Sequence, residues 1–472
     1  MRTSLLFVTL PAVLAACASA PAPATYGSGA PAAVAAAALP SADPSFHPSW
    51  SKSATIYEVN VRQYTPEGTF AALQRHLPRL KAMGVDILWL MPVQPIGHQG
   101  RKGRLGSYYA IADYTAINPE HGTEADFKRF VDAAHARGMR VILDWVANHT
   151  AHDHEWIAAH SDWYVHRADG TISNARDNEG RETDWTDVAE LNYDNAAMRQ
   201  AMIGEMRWWV DRMGIDGFRC DVAGGVPMDF WMAARTALKA DRADLFLLAE
   251  AESPQMHSAF DATYGWELHH LLNEITQGKK GTAELDRYFA RQDSAYGRGP
   301  FRMYFTSNHD ENSWNGTEFE RMGANHQAAF VLAATAQNSF PLMYTGQEVS
   351  MNKRLRFFEK DTVDWNGPSL APFYTRMFEL KHTQPALANG PWGAPQVRLQ
   401  TTAGDRVYAF TRTESTHTVL VAVNFGDQPV SVAYQGLSAA GAYTDWFART
   451  PVTLAASGTI DLPAHGYRVL VR

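Results

Sequence analysis

From residue 54 to about residue 385 the chain repeats one unit, a short apolar run followed by an amphipathic helical segment, and that repetition leaves few folds open. The runs at 56–61, 85–90, 140–144, 217–221, 245–250, 303–310 and 341–346 read as strands. Helical segments lie between them at 70–83, 123–137, 196–212, 228–239, 266–276 and 326–337. In the second of these, Phe127, Phe130, Val131 and Ala134 recur at spacings of three and four, and Gly138 closes the helix. Strand and helix in steady alternation mean a parallel sheet, and the length fits a (β/α)8 barrel with insertions. The expected barrel occupies 49–149 and 193–388. A stretch rich in His, Asp, Trp and Gly at 150–192 reads as a subdomain inserted after the third strand, over the barrel mouth. From 389 to 472 the texture becomes alternation without helices, at 406–412, 418–424, 430–434 and 467–471, which predicts a small antiparallel all-β domain.

Four of the predicted strands end in an acid: Asp144, Asp221, Glu250 and Asp310. A parallel barrel gathers its strand C-termini at one mouth, where the active sites of such barrels lie. Four carboxylates crowded there repel one another, so their presence points to chemistry. The stretch at 214–225, GIDGFRCDVAGG, places Arg219 and Asp221 two residues apart and therefore on one strand face. A guanidinium beside a carboxylate holds it ionised and aimed; taken alone, the same pair also reads as a surface ion pair at a strand end. Cys220 points the other way and reads as a buried packing thiol rather than a reactive one. The only other cysteine is Cys17, so a disulfide within the mature domain is excluded.

The first residues read as an export signal: Arg2, an apolar core at 5–14 too short for a permanent bilayer span, then LAAC at 14–17. LAAC resembles a bacterial lipobox, which makes Cys17 the lipid-bearing first residue of the mature chain. Ala18 in place of Asp then implies sorting to the outer membrane of a Gram-negative cell. Residues 18–48, rich in Ala, Pro and Ser, read as a flexible tether. The expected protein meets a membrane only through that anchor and is a monomer. A net charge of −8 without a basic run excludes a phosphate footprint, and so a nucleic-acid partner. The 14 tryptophans suit a surface that meets sugars or other flat ligands.

The motifs together resemble glycoside hydrolase family 13, the α-amylase family, over nearly all of the chain from residue 54. DWVANHT at 144–150, GFRCDV at 217–222, LLAE at 247–250 and FTSNHD at 305–310 look like that family's four signatures in order. SYYAIADY at 107–114 precedes them and PLMYTGQE at 341–348 follows. The resemblance implies a barrel with a subdomain after strand three, a C-terminal β-sandwich, and retaining hydrolysis of α-1,4-glucosidic bonds in starch or maltodextrins. Relatives acting as transglycosylases, or on sucrose or trehalose, use the same three carboxylates; a third reading is a carbohydrate-binding protein without activity. Carried over residue by residue, Asp221 is the nucleophile, Glu250 the general acid/base and Asp310 the stabiliser of the transition state. Arg219 orients Asp221, His149 and His309 hydrogen-bond the sugar, and Tyr109 stacks on it. Glu252, two residues beyond Glu250 on the same face, is the alternative acid; the motif register favours Glu250.

Two departures from the family pattern bear on specificity. The second signature commonly continues into a Lys-His pair, and here Gly224 and Gly225 stand at those positions, widening the leaving-group side. Asn148 occupies the position of a calcium ligand in many relatives, so a structural calcium ion is implied, although no carboxylate partners for it are identifiable and Asn148 also reads as a hydrogen-bonding core residue. An organic cofactor is not implied. Among the 18 histidines, His121, His152, His154 and His166 invite a metal-cluster reading, but their spacing does not support one.

Overall fold

The computed structural model describes residues 43–177 and 180–472, so the signal segment, Cys17 and residues 18–42 of the tether lie outside the described residues. Eight parallel strands close a barrel: β1 Ile56–Val59, β2 Ile87–Leu90, β3 Arg140–Val146, β4 Gly217–Asp221, β5 Phe246–Ala249, β6 Ala262–Tyr264, β7 Phe301–Tyr304 and β8 Ser339–Tyr344. They follow one another in chain order around the ring, and β1 bonds to both β2 and β8.

Four local differences from the predicted pattern have physical causes. Strand β6 and the helix Ala283–Tyr296 were not foreseen; three residues, Ala-Thr-Tyr, are too few to show a period. The helix predicted over 70–83 is two, Phe70–Gln74 and Leu77–Met83. Pro78 sits in the first turn of the second and has no N–H to continue the hydrogen-bond ladder backwards. The run at 303–310 leaves the sheet after Tyr304, so Asp310 is carried by the start of the helical turn that follows the strand. The tether boundary at 48 is corrected as well. His47 is buried, with Nδ1 at 3.2 Å from Asp261 and its ring stacked on Phe301 at 4.5 Å, so packed chain begins before residue 49. Pro and Ser composition hid an element that plugs the barrel floor.

The strand period of two sorts the barrel residues into layers. Ile56, Ile87, Ile142, Phe246, Ala262, Phe301 and Phe340 point inward and fill the lower barrel with apolar side chains. Their neighbours Tyr57, Leu88, Val141, Leu143, Phe218, Cys220 and Leu247 belong to the layer against the helices. Two residues further along four of these strands the inward column turns polar, with Glu58 above Ile56, Trp89 above Ile87, Asp144 above Ile142 and Tyr264 above Ala262, whereas Leu248, Met303 and Leu342 keep it apolar on β5, β7 and β8. On β4 the inward positions are Gly217, Arg219 and Asp221. Gly217 has φ +152°, and a Cβ there would lie 1.9 Å from the Phe246 carbonyl oxygen, so only glycine lets β4 and β5 meet at this height. A polar layer thus rests on an apolar plug at the mouth.

The inserted segment returns as a two-stranded antiparallel pair, His149–Ala151 with Val188–Glu190. The C-terminal domain is a six-stranded antiparallel sheet facing a three-stranded one. Val407, Ala409, Leu420 and Ala422 face the second sheet, whereas Tyr408, Phe410, Val419, Val421 and Val423 face the main core. Buried Arg412 ties this domain down by donating to the carbonyls of Thr335, Ala336 and Ala394 at 2.8–3.1 Å. Among the described residues no helix is long and apolar enough to cross a membrane.

Candidate active site

The polar layer is organised by one cation. Arg219, fully buried, donates from Nη1 to Asp144 Oδ1 and to Asp221 Oδ1, each at 2.9 Å. Its Nη2 lies 2.8 Å from Glu250 Oε1, and its Nε donates to the Tyr264 hydroxyl at 3.1 Å. The guanidinium also lies over the rings of Trp89 and Tyr264, 5.0 and 5.5 Å from their centres. Three carboxyl groups therefore share one positive charge in a water-poor layer. Asp144 is wholly enclosed, held by Trp89 Nε1 and the Tyr109 hydroxyl, both at 3.1 Å. Asp221, Glu250 and Asp310 keep open edges, with Asp310 the most open at 35% of its side chain.

Electrostatics follow from that crowding. Burial pushes the Asp221 carboxyl well above the usual carboxylate range, the neighbouring Glu250 adds to the rise, and Arg219 opposes it. This reverses the expectation from sequence that Arg219 would simply keep Asp221 ionised, because burial and the charge of Glu250 outweigh a guanidinium that also faces two other acids. Burial likewise pushes Asp144 up to about 6 against the pull of Arg219. The backbone beyond β4 contributes too. Val222, a β-branched residue, has φ +42°, a left-handed conformation that such side chains rarely adopt. This turn aims its N–H at Glu250 Oε2, 2.8 Å away.

A second chain of contacts approaches from β1. Glu58 Oε1 lies 2.5 Å from His309 Nδ1, and its Oε2 is buried with no hydrogen-bond partner among the described residues. His309 Nε2 is 2.8 Å from the Tyr109 hydroxyl and 3.4 Å from Asp310 Oδ2. Although burial works against its charge, Asp310 and Glu58 together raise the His309 imidazole to about 9. Sequence reading overlooked Glu58, Trp89 and Tyr264. For Glu58 a signal was present: a single acid inside an otherwise apolar barrel strand, IYEV, cannot face the helices and must face the mouth.

His309 gives a pH prediction. A base that holds its proton more tightly when folded adds stability that is complete below about pH 6.5 and is lost as pH rises through about 9. Substituting E58Q removes one of the two anions that face it, leaving Asp310 beside it and Arg219 opposing. The alkaline limb of kcat/KM is expected to move down by roughly one to three pH units, read from a pH–rate profile; an unmoved limb would show that Glu58 does not charge His309.

Other residues singled out by the sequence divide cleanly. Glu252 is not in the cluster: it pairs with Arg302 and accepts the Glu267 N–H at 2.8 Å. Cys220 is buried and free, facing the helix layer, and burial pushes its thiol up. His149 is buried at the subdomain entrance, beside Asn148 Nδ2 at 3.3 Å and edge-on to Trp185 at 5.9 Å. Burial lowers it to about 4, so it is neutral. His121, His152, His154 and His166 each hydrogen-bond a different neighbour: Gly68, Asn174, the Trp156 N–H and Ser161.

Asn148 Nδ2 also donates to Glu190 Oε2 at 3.3 Å, and burial raises the Glu190 carboxyl to about 7. Asn148 Oδ1 faces Gly225, where a Cβ would come within 2.7 Å, so a side chain at Gly225 would have to displace Asn148. Calcium takes six or more oxygens. Among the described residues no three His, Cys, Asp or Glu side chains gather as they would about a metal ion. The side chains at Asn148 therefore do not by themselves form a calcium cage.

With this geometry in hand, the comparisons with known proteins are specific. The sequence model of the alpha amylase catalytic domain matches residues 44–370, and that of the maltogenic amylase C-terminal domain matches 399–469. The chain is 29% identical over 403 residues to alpha-amylase MalA of Haloarcula japonica, covering 82% of this chain and 57% of that one. It is 27% identical over 418 residues to alpha-1,4-glucan:maltose-1-phosphate maltosyltransferase 1 of Streptomyces coelicolor, covering 82% and 60%. The chain thus spans about three fifths of the length of these curated relatives. The crystal structure of the maltogenic alpha-amylase AmyB from Thermotoga neapolitana superimposes with a TM-score of 0.81 at 29% identity, covering 89% of this chain and 99% of that one. The chain belongs to the alpha-amylase family, glycoside hydrolase family 13.

Proposed function

We propose that this member of the alpha-amylase family is a retaining glycoside hydrolase that cleaves α-1,4-glucosidic bonds in maltodextrins or starch. One observation carries the reading: two nitrogens of the buried Arg219 guanidinium hold Asp221 and Glu250 side by side, both open to the cleft. Retaining cleavage needs two neighbouring carboxyl groups, about 5–5.5 Å apart, one to attack and one to protonate. The two carboxyl groups share one proton, and with it on Glu250 the Asp221 carboxylate attacks the anomeric carbon and forms an ester with the sugar, while that proton passes to the departing glycosidic oxygen. Glu250, now a carboxylate, takes a proton from water as that water displaces Asp221, and both groups return to their starting state. Asp310, steadied by charged His309, supplies negative charge beside the developing oxocarbenium ion and accepts hydroxyl hydrogen bonds.

Glycosyl transfer is the second reading, favoured by the maltosyltransferase among the relatives and by the bare Gly224-Gly225 turn on the leaving-group side. It uses the same ester and differs only in the acceptor. Incubating the protein with maltoheptaose and following products by chromatography separates the two. Shorter sugars alone are the expected result; products longer than seven units would replace hydrolysis by transfer.

The proposed setting is a lipid-anchored protein exported to the outer membrane, supported by the LAAC sequence ending at Cys17. Substituting C17S in the full chain is expected to move the enzyme from the membrane fraction to the soluble fraction of the producing cell. Unchanged membrane association would refute the anchor.

A further inference from the structure

Beyond Asp310 the chain enters a π-helical turn, Glu311–Asn315, which presents Trp314 to solvent with 52% of its surface exposed. Neither the sequence reading nor the reaction uses this residue. The turn is fixed from both sides: the Asn312 side chain accepts the Leu355 N–H at 2.8 Å and donates to the Lys353 carbonyl at 3.0 Å. Glu311 lies 3.1 Å from His269 Nε2, which anchors the base of the turn.

The ring continues an aromatic shelf that starts at the reacting groups. Tyr109 is stacked on His309 at 5.5 Å and lies nearly parallel to Phe357 at 6.2 Å, with 10° between their planes. Phe357 in turn meets Trp314 at 5.4 Å, and Phe358 supports Trp314 at 5.7 Å. Exposed apolar surface continuous with a cleft marks a binding surface, and a flat ring with a polar edge suits the apolar C–H face of a pyranose. Glu250 is held by the Val222 N–H next to the Gly224-Gly225 turn, whereas the shelf starts at Tyr109 and His309 beside Asp310.

We propose that Trp314, backed by Phe357, is a platform for a glucose unit of the bound α-glucan beyond the unit held at Asp221, so that grip on the substrate depends on chain length. Two ring steps separate Trp314 from Tyr109, so a short sugar occupies the site without reaching it, whereas a longer chain is held at both places. The proposal rests on the α-glucan reading above and specifies which part of that substrate is recognised.

The test uses the full chain carrying D221N, titrated calorimetrically with maltotriose and with maltoheptaose, alone and combined with W314A, W314Q or W314Y. W314A and W314Q are expected to lower maltoheptaose affinity on the order of tenfold, to lower the maltoheptaose-to-maltotriose affinity ratio by a similar factor, and W314Y to restore most of it. Because the residue is half exposed, two small or polar replacements guard against one of them failing to fold, and melting curves check each. An unchanged ratio in both, with D221N binding maltoheptaose, would overturn the platform and leave the substrate reading standing. Absence of binding of either sugar to D221N would overturn the substrate reading and the platform with it.

Discussion

Replacing Asp221 by Asn is expected to lower kcat on maltooligosaccharides by roughly 10⁵-fold or more, the scale seen when a covalent nucleophile is removed. The amide is nearly isosteric and accepts the Arg219 N–H through its oxygen, so the contact at 2.9 Å survives. What is lost is the oxygen that forms the bond to the anomeric carbon. Removing one of three buried acids around a single cation also relieves repulsion, since burial and Glu250 both work against ionised Asp221. The variant should therefore melt no lower than the parent while losing turnover. That separation of stability from activity is the informative part. A D221N protein that kept one hundredth of its activity would place the nucleophile elsewhere, and product released with inverted configuration by the parent, seen by NMR, would refute the covalent route.

Arg219→Met carries the largest structural effect expected. The guanidinium is fully buried and is the positive charge facing Asp144, Asp221 and Glu250. Methionine fills much of its volume but takes the guanidinium charge from three carboxyl groups, leaving charged His309 to act on Asp144. Breaking a buried ion pair from one side costs about 3–5 kcal/mol, and here three pairs are broken at once. Denaturant unfolding should show a loss of at least that size, larger at pH 7 than at pH 4. The sign follows from the cluster: without the cation the acids bind protons more tightly when folded, so the variant regains stability as pH falls and they neutralise. Lysine is not a conservative replacement, because its one ammonium nitrogen cannot span groups that Arg219 reaches from Nη1, Nη2 and Nε of a planar guanidinium. Equal unfolding free energies for parent and R219M would show that the cluster is satisfied without its cation.

The broad architecture was legible because it depends on local periodicity. Apolar runs alternating with 3.6-residue patterns leave a parallel barrel as the economical fold, and alternation without helices after residue 389 marks the all-β domain. Where the signal is short it fails: β6 has three residues, and His47 sits in a stretch whose composition imitates a linker. The catalytic candidates were legible for a related reason. Acids at the ends of apolar strands have one place to go in such a barrel, and Arg219 shares a face with Asp221 by strand geometry alone. The plainer reading of that pair, a surface ion pair, fails on burial, which the sequence does not display.

What the tertiary structure decided is how charge is divided. From sequence, Arg219 belongs to Asp221; in space it also serves Asp144 from β3 and Glu250 after β5, residues 75 and 31 positions away, while burial and the neighbouring Glu250 push Asp221 upward instead of down. The charged state of His309 likewise depends on Glu58, 251 residues earlier. The sequence by itself determined which side chains point into the mouth, because a strand's period of two is a local property. Only the closed ring decided which of them share a proton or a cation, because electrostatic strength depends on distance and on exclusion of water, and both arise when strands distant in the chain become neighbours.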